Sequence, residues 1–340
     1  MNAQKLTETL IVLVQNRMKA LIVGQPGIGK TDIVGQVADF LKCKLITMFP
    51  AVSDPTTFEG MPSIDPKSGL ADFLPFGQLR QIMTATELTI VFLDDLGQAP
   101  PAVQAAVMHL LLAREINGKK VSDNVVFLAA TNRRGDGAGV KGILEPVKSR
   151  FSMIIQYTPD VKSYTAWAQS HGVAHEYIAW VNFQPEVLTA WSPTSDIVNQ
   201  PSPRTITEAA KLWSLGLRDL ESQGDAMGES HAGQFLAFTK VYKDLPSLSG
   251  IIADPQNAIV PRPEAISATH AVTQGLVHKA SLENAESIVT YSMRLAEEFD
   301  TVLVQGMINK FAAESEETLK AFQETQSFVK WSVKHQHIAL

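Results

Sequence analysis

The chain has 340 residues, 45% hydrophobic and 19% charged, which suits two or three packed globular domains. A net charge of −6 argues against a broad basic surface for nucleic acid, and no apolar run approaches the roughly 18–20 residues that a membrane span requires. Cys43 is the one cysteine, so an intrachain disulfide and a cysteine zinc site are excluded. The first residues lack the basic start and small-residue cleavage site of a secretory leader, and a cytoplasmic location is expected.

Lys5 to Gln15 has the spacing of a short amphipathic helix, expected to cover a sheet edge. Ala20 to Val23 reads as a buried strand. It runs into Gly24-Gln25-Pro26-Gly27-Ile28-Gly29-Lys30-Thr31-Asp32, which fits G-x-x-x-x-G-K-[ST], the phosphate-binding loop. The spacing follows from chemistry. A triphosphate needs a concave row of backbone N–H groups; Gly24, Gly27 and Gly29 keep side chains out of it and permit positive φ. The helix expected from Thr31 to Leu41 would aim its N-terminus at the phosphates. Lys30 can reach the β- and γ-phosphates, and the Thr31 hydroxyl can ligate Mg²⁺. The bland alternative is a glycine turn joining strand to helix; the strand before and the helix after favour the phosphate loop.

Lys44 to Phe49 is a second strand. Asp54 to Gln78, rich in Pro, Gly, Ser and Asp, reads as loop or irregular hairpin, long enough to suggest function. A helix over Leu79 to Ala85 precedes Leu88 to Leu93, an almost unbroken apolar run typical of a strand buried on both faces of a parallel sheet. The run ends in Asp94-Asp95. Acids there suit a magnesium nucleotide site, with Asp94 toward the metal and Asp95 toward the attacking water. Two acids can also cap the next helix; the upstream loop favours the first reading.

Pro100 to Arg114 is a helix with Val103, Val107, Leu110 and Leu111 on one face, and His109 is a packed or surface histidine. Asn117-Gly118 centres a hairpin turn. Val125 to Ala130 is another apolar strand, ending in Thr131-Asn132. A glycine-rich charged loop, Arg133 to Gly142, leads to a short helix over Leu144 to Ser149, then Arg150, and a fifth strand over Met153 to Gln156. Arg150 reads either as a surface arginine near a helix C-terminus or as a forked donor for phosphate charge. Arg133 and Arg134 read as a solvated loop or as further candidates for that role. Beyond Tyr157 the pattern is helical: Val161 to Gln169, His175 to Val181, Arg204 to Leu217 and His231 to Lys243, with Pro-rich segments between. Arg204 opens its helix, where the dipole disfavours it, so a functional reason is expected. In the last part Leu282, Ile288, Val289, Leu295 and Phe299 form a stripe, with further amphipathic helices over Val302 to Phe311 and Leu319 to Trp331.

GQPGIGKT, VFLDD, AATN, a helix ending in SRF, and SPRT after three helical segments together resemble the AAA+ ATPases. DDLGQAPPAVQAAVMHLLL resembles the MoxR-like branch, and TNRRGDGAGVKGILEPVKSRF is similar to small MoxR-like ATPases of phages and bacteria. The likeness covers roughly residues 15 to 245. It implies an α/β fold: a P-loop parallel five-stranded sheet over 1–158 and a helical lid over 159–245. Residues 246–340 fall outside the likeness and read, from their own apolar spacing, as a helical C-terminal extension of unknown role. The likeness also implies roles: Lys30 and Thr31 as the Walker A pair, Asp94 and Asp95 as the Walker B pair, Asn132 as sensor 1, Arg150 as arginine finger and Arg204 as sensor 2. ATP and Mg²⁺ are the implied ligands. The implied assembly is a homo-oligomeric ring, usually a hexamer, in the cytoplasm, or the host cytoplasm for a phage protein. One departure concerns rate: the second Walker B residue is usually Glu, and Asp95 is shorter by about one C–C bond, roughly 1.5 Å, a misplacement of the size that can cost about 10²-fold.

The leading expectation is therefore an ATP-driven remodelling motor for a protein client, often with a von Willebrand factor A-type partner. A DNA-directed ATPase is the second; it needs more basic surface than Arg133-Arg134 and Lys119-Lys120 offer. A nucleotide-gated assembly protein that hydrolyses little is the third, kept open by Asp95. A small-molecule kinase is disfavoured, since such kinases rarely carry the sensor and finger residues.

Overall fold

The computed structural model describes residues 1–64, 69–137, 142–243, 247–262 and 266–335; positions 138–141 of the charged loop and 65–68 of the long connection lie outside them. In chain order the elements are α1 (Ala3–Gln15), β1 (Ala20–Val23), α2 (Lys30–Leu41), β2 (Lys44–Met48), α3 (Thr56–Glu59), β3 (Met61–Ile64), β4 (Ala71–Leu74), α4 (Gly77–Met83), β5 (Thr89–Leu93), α5 (Pro101–Ala113), β6 (Glu115–Ile116), β7 (Lys119–Lys120), β8 (Val125–Thr131), α6 (Glu145–Lys148) and β9 (Met153–Gln156). The rest is helical: α7 (Val161–Ser170), α8 (His175–Phe183), α9 (Pro203–Ser214), α10 (Leu220–Met227), α11 (Glu229–Lys243), α12 (Leu248–Ala253), α13 (Ile266–Lys279), α14 (Ala285–Ser292), α15 (Glu297–Glu314), α16 (Glu316–Gln323) and α17 (Gln326–Lys334).

The apolar runs become one five-stranded sheet in the order β2-β5-β8-β1-β9, parallel at every pairing. Every residue of β5 and β8 is buried. Alternation along each strand sends Leu21, Val91, Leu93, Phe127 and Ala129 to one face, where α5 packs with Val103, Val107 and Leu110. It sends Ile22, Ile90, Phe92, Val126 and Leu128 to the other, under Leu6 and Leu10 of α1 and Val34 and Val37 of α2. Helices on both faces explain the unbroken apolar strands. The register sets Val23 level with Thr131 and Leu93 level with Ala129, so three strand ends open on one rim.

Several expectations are refined. The N-terminal helix lies on a face beside α2 rather than along an edge; only its start is tied to the edge strand, through the Met1 amino group on the Gln156 carbonyl at 2.7 Å. The long connection over 54–78 holds the helix α3 and the β3–β4 hairpin. Asn117 and Gly118 both take positive φ, 47° and 77°, and join β6 to β7 as a tight hairpin. His109 is exposed. Helix α10 has no clear apolar stripe and escaped the periodicity reading; Asp219 caps it through the Ser222 N–H at 2.8 Å. The stripe from Leu282 to Phe299 is not continuous, because the chain breaks between α14 and α15. The expected helix from Leu319 to Trp331 likewise divides, and Thr325 caps the second piece.

Beyond the sheet, two further cores form. One gathers Tyr177, Trp180, Trp213 and Phe235, with the Tyr177 and Phe235 rings stacked 3.9 Å apart. The other gathers Val272, Leu276, Tyr291, Leu303, Phe311 and Trp331, and its α13 packs on α8 and α11. At its centre Asp300 is wholly buried. Its carboxylate accepts from the Ser292 hydroxyl at 2.8 Å and the Trp331 indole N–H at 2.9 Å, and Lys334 and His335 each stand 3.3 Å away. Removing one member of such a buried network strands the others. Asp300→Ala is expected to destabilise the C-terminal helices by about 3–5 kcal/mol, read as a lowered urea midpoint. A midpoint within experimental error of the parent would rule out this anchoring role.

Candidate nucleotide-binding site

The loop after β1 is shaped by its glycines. Gly29 takes φ +88° as it turns into α2, and Gly27 takes φ +71°. Gly24 is needed for a different reason from the one expected: a Cβ there would lie 2.8 Å from the Tyr157 carbonyl oxygen. Ile28 is buried and its carbonyl accepts from the Tyr157 hydroxyl at 3.0 Å. Asp32 stands in the first turn of α2. Gln25 reaches the Thr189 carbonyl at 3.4 Å, while Pro26 and Gly27 line a cavity of about 310 Å³ with Trp191, Asn199, Gln200 and Arg204.

Lys30 is buried, and its ammonium spends all three N–H bonds on Gly24 O (3.0 Å), Gln25 O (2.7 Å) and Asn132 Oδ1 (2.7 Å). Burial draws its pKa from 10.5 down to about 8, against the pull of Asp95, Asp94 and Asp136. The Thr31 hydroxyl donates to Asp94 Oδ2 at 2.7 Å. Burial raises the Asp94 pKa, opposed by that hydroxyl. A hydroxyl and a carboxylate set side by side are hard oxygen donors, and they fit Mg²⁺.

Asp95 sits in the left-handed region at φ +55°. Asp is one of the side chains enriched at that backbone conformation, which this chain also sets at Arg17, Lys42 and Arg114. Its Oδ1 accepts from Gln98 Nε2 at 2.9 Å and from Asn132 Nδ2 at 3.5 Å. Asn132 thus stands between Lys30 and Asp95, joining β8 to both other strand ends.

The arginines divide. Arg204 opens α9 with its N–H on the Gly27 carbonyl at 3.0 Å; its side chain is exposed, and its charge reaches Lys30. Arg150 lies at the other end of the sheet, beside Lys19, one strand length or roughly 13 Å from the loop. Its Nε is buried with no hydrogen-bond partner among the described residues. Arg133 is bound to the buried Asp136 carboxylate, at 2.9 Å for the closest pair, and Arg134 is exposed. The sequence reading missed Gln98, Asp136 and Gln104. Asp136 carried a local signal, the Arg133 pairing at i,i+3 that caps a short turn. Gln104 lies on the apolar face of α5 and anchors Leu144 N at 2.9 Å and Gly142 O at 3.0 Å; Gln98 lies among residues of no special pattern.

Residues 19–151 match the family model described as AAA domain (dynein-related subfamily). This stretch is similar to AAA domains, and it carries the five-stranded sheet and the glycine loop. Among curated proteins none matches the chain. Similar solved structures include the RuvB Holliday junction branch migration motor of Thermotoga maritima, at 15% identity over 81% of this chain and 80% of that one, with a TM-score of 0.41. They include NtrX of Brucella abortus in complex with ADP, at 13% identity over 99% of this chain and 68% of that one, with a TM-score of 0.41. The matched stretch contains the glycine loop, both acids, Asn132 and Arg150; Arg204 enters from the helices beyond it.

Phosphate oxygens favour a charged Lys30, so binding above about pH 8 requires proton uptake. ADP affinity is expected to fall as pH rises from about 8 toward 10, by up to tenfold per unit. Calorimetry in buffers of different ionisation enthalpy reads the proton directly. A flat affinity across that range would contradict the burial of Lys30.

Proposed function

We propose that the chain is an ATP-hydrolysing motor that works as a ring of copies, of MoxR-like type and hexameric, on a protein client. The observation that carries the reading is the divided site. Lys30, Thr31, Asp94, Asp95 and Asn132 meet on one rim of the sheet, while Arg150 stands beside Lys19 at the other end of β1. A guanidinium with a buried, bare Nε that cannot reach its own loop suits a neighbour's phosphates.

In this reading the loop N–H groups and the N-terminus of α2 bind the phosphates, and Lys30 trades its carbonyl partners for phosphate oxygens. Asp95 accepts a hydrogen bond from the attacking water, and Asn132 keeps that carboxylate and Lys30 in fixed relation. Arg204 meets the γ-phosphate from the same chain, and Arg150 of the adjacent copy meets the charge that develops in the transition state. Thr31 and Asp94 would hold Mg²⁺, which when bound neutralises phosphate charge.

Two observations favour a protein client over DNA. Each basic cluster is half neutralised, Lys119 by Asp72 and Arg133 by Asp136. The β3–β4 hairpin also shows apolar side chains to solvent, Met61 at 53% and Ile64 at 68% exposure. A von Willebrand factor A-type partner belongs to the same reading. The nucleotide-gated alternative, with little hydrolysis, is favoured by one specific feature, the short acid at a left-handed position.

Lys30→Ala is expected to abolish ADP binding. Arg150→Ala is expected to bind ADP like the parent and to lose about 10³-fold or more in turnover. Mixing the two inactive variants is expected to restore activity, since each interface that joins an intact Lys30 to an intact Arg150 is complete. No recovery in the mixture, or parent turnover in Arg150→Ala, would sink the shared site. ATPase rates unchanged by added DNA are expected; strong stimulation would transfer the reading to a DNA-directed motor.

A further inference from the structure

We propose that Gln98 is a positioning residue that clamps Asp95, a role that rests on Asp95 serving the attacking water. The two are three residues apart on a single 3₁₀ turn, Leu96–Gln98, closed by the Gln98 N–H on the Asp95 carbonyl at 3.0 Å. The turn is firmly seated. Leu96 and Ala99 are wholly buried, and the buried Gln104 side chain donates to the Ala99 carbonyl at 3.1 Å.

From this base the Gln98 amide N–H meets Asp95 Oδ1 at 2.9 Å. A carboxylate only accepts, so the amide must face it with nitrogen, and its orientation is determined. The consequence is visible on the other side: Gln98 Oε1 is buried with no partner among the described residues. A bare buried acceptor is costly, and a side chain chosen only for packing would not carry one. Asn132 Nδ2 adds a longer contact to the same Oδ1, while Oδ2 takes no hydrogen bond among the described residues. Two amides from two strand ends therefore hold one oxygen and leave the second for water.

The clamp answers the problem of the short acid. A carboxylate set back by one bond cannot gain reach, but it can lose freedom. A fixed carboxylate loses less to misorientation than a swinging one. Gln98 supplies the stronger of the two restraints, and Asn132 is already engaged by Lys30 through its oxygen.

The test compares Gln98→Met and Gln98→Glu with the parent. Gln98→Met keeps the volume, removes the donor and removes the bare acceptor. Its melting temperature is expected to hold or rise, its ADP affinity to stay within about twofold, and its kcat to fall about tenfold or more. A crystal structure is expected to show the Asp95 carboxylate displaced. Gln98→Glu sets two carboxylates together and is expected to lose more at about pH 8. It should recover in part, relative to the parent, toward about pH 5, where the new carboxyl can hold a proton and donate it. A merely structural Gln98 would give no such recovery. Parent kcat in Gln98→Met, or an unmoved Asp95 in its crystal structure, would overturn the clamp. If the parent binds ADP yet hydrolyses no ATP, the motor reading fails alone, and the position of Asp95 in the two crystal structures still decides the clamp.

Discussion

A buried ammonium is expensive unless every N–H has an acceptor, and the Lys30 site is built around meeting that demand. Two acceptors come from the loop that carries the lysine and the third from Asn132 at the end of another strand. The bond to Asn132 therefore ties β8 to the glycine loop, and Asn132 in turn touches the acid at the end of β5. Asp94, Asp95 and Asp136 surround the same charge. The Lys30 ammonium is thus held in place by groups of the chain itself, two of them backbone oxygens of the glycine loop.

The helices after the sheet are connected to this centre through backbone contacts as well as side chains. Arg204 N–H on the Gly27 carbonyl joins the first turn of α9 to the loop itself, and Gln25 reaches across to Thr189. The Ser202 side chain caps α9 and crowds Gly27, leaving no room for a Cβ. Behind α9 lies an aromatic core of Tyr177, Trp213 and Phe235, stiff enough to carry a displacement at its edge as a unit. The C-terminal helices rest on α8 and α11, so they extend the helical part of the molecule rather than the sheet.

Much of the site was legible because its signals are local. The glycine loop, the acids after an apolar strand, and the asparagine after another each depend on a few adjacent residues and a period of two. Gln98 was not legible. Nothing in Leu96-Gly97-Gln98 marks it; its role appears only once the turn folds back and sets its amide on Asp95. The positive φ of Asp95 was hidden for the same reason. Helix boundaries beyond residue 280 were blurred because the apolar stripe runs through the breaks, which are made by caps such as Thr325.

The amino-acid order alone determined the five strands of the main sheet, the helices between them and the glycine loop, because periodicity and turn chemistry act over short distances. Tertiary structure decided which residues meet. Strand order brought Lys30, Asp94 and Asn132 to one rim and left Arg150 on the far side. It neutralised Arg133 and Lys119 with distant or folded-back acids. It also gathered a buried carboxylate with an indole, an ammonium and an imidazole in the C-terminal core. Such meetings depend on long-range register and on the cost of burying charge without a partner, neither of which is written in any short stretch of sequence.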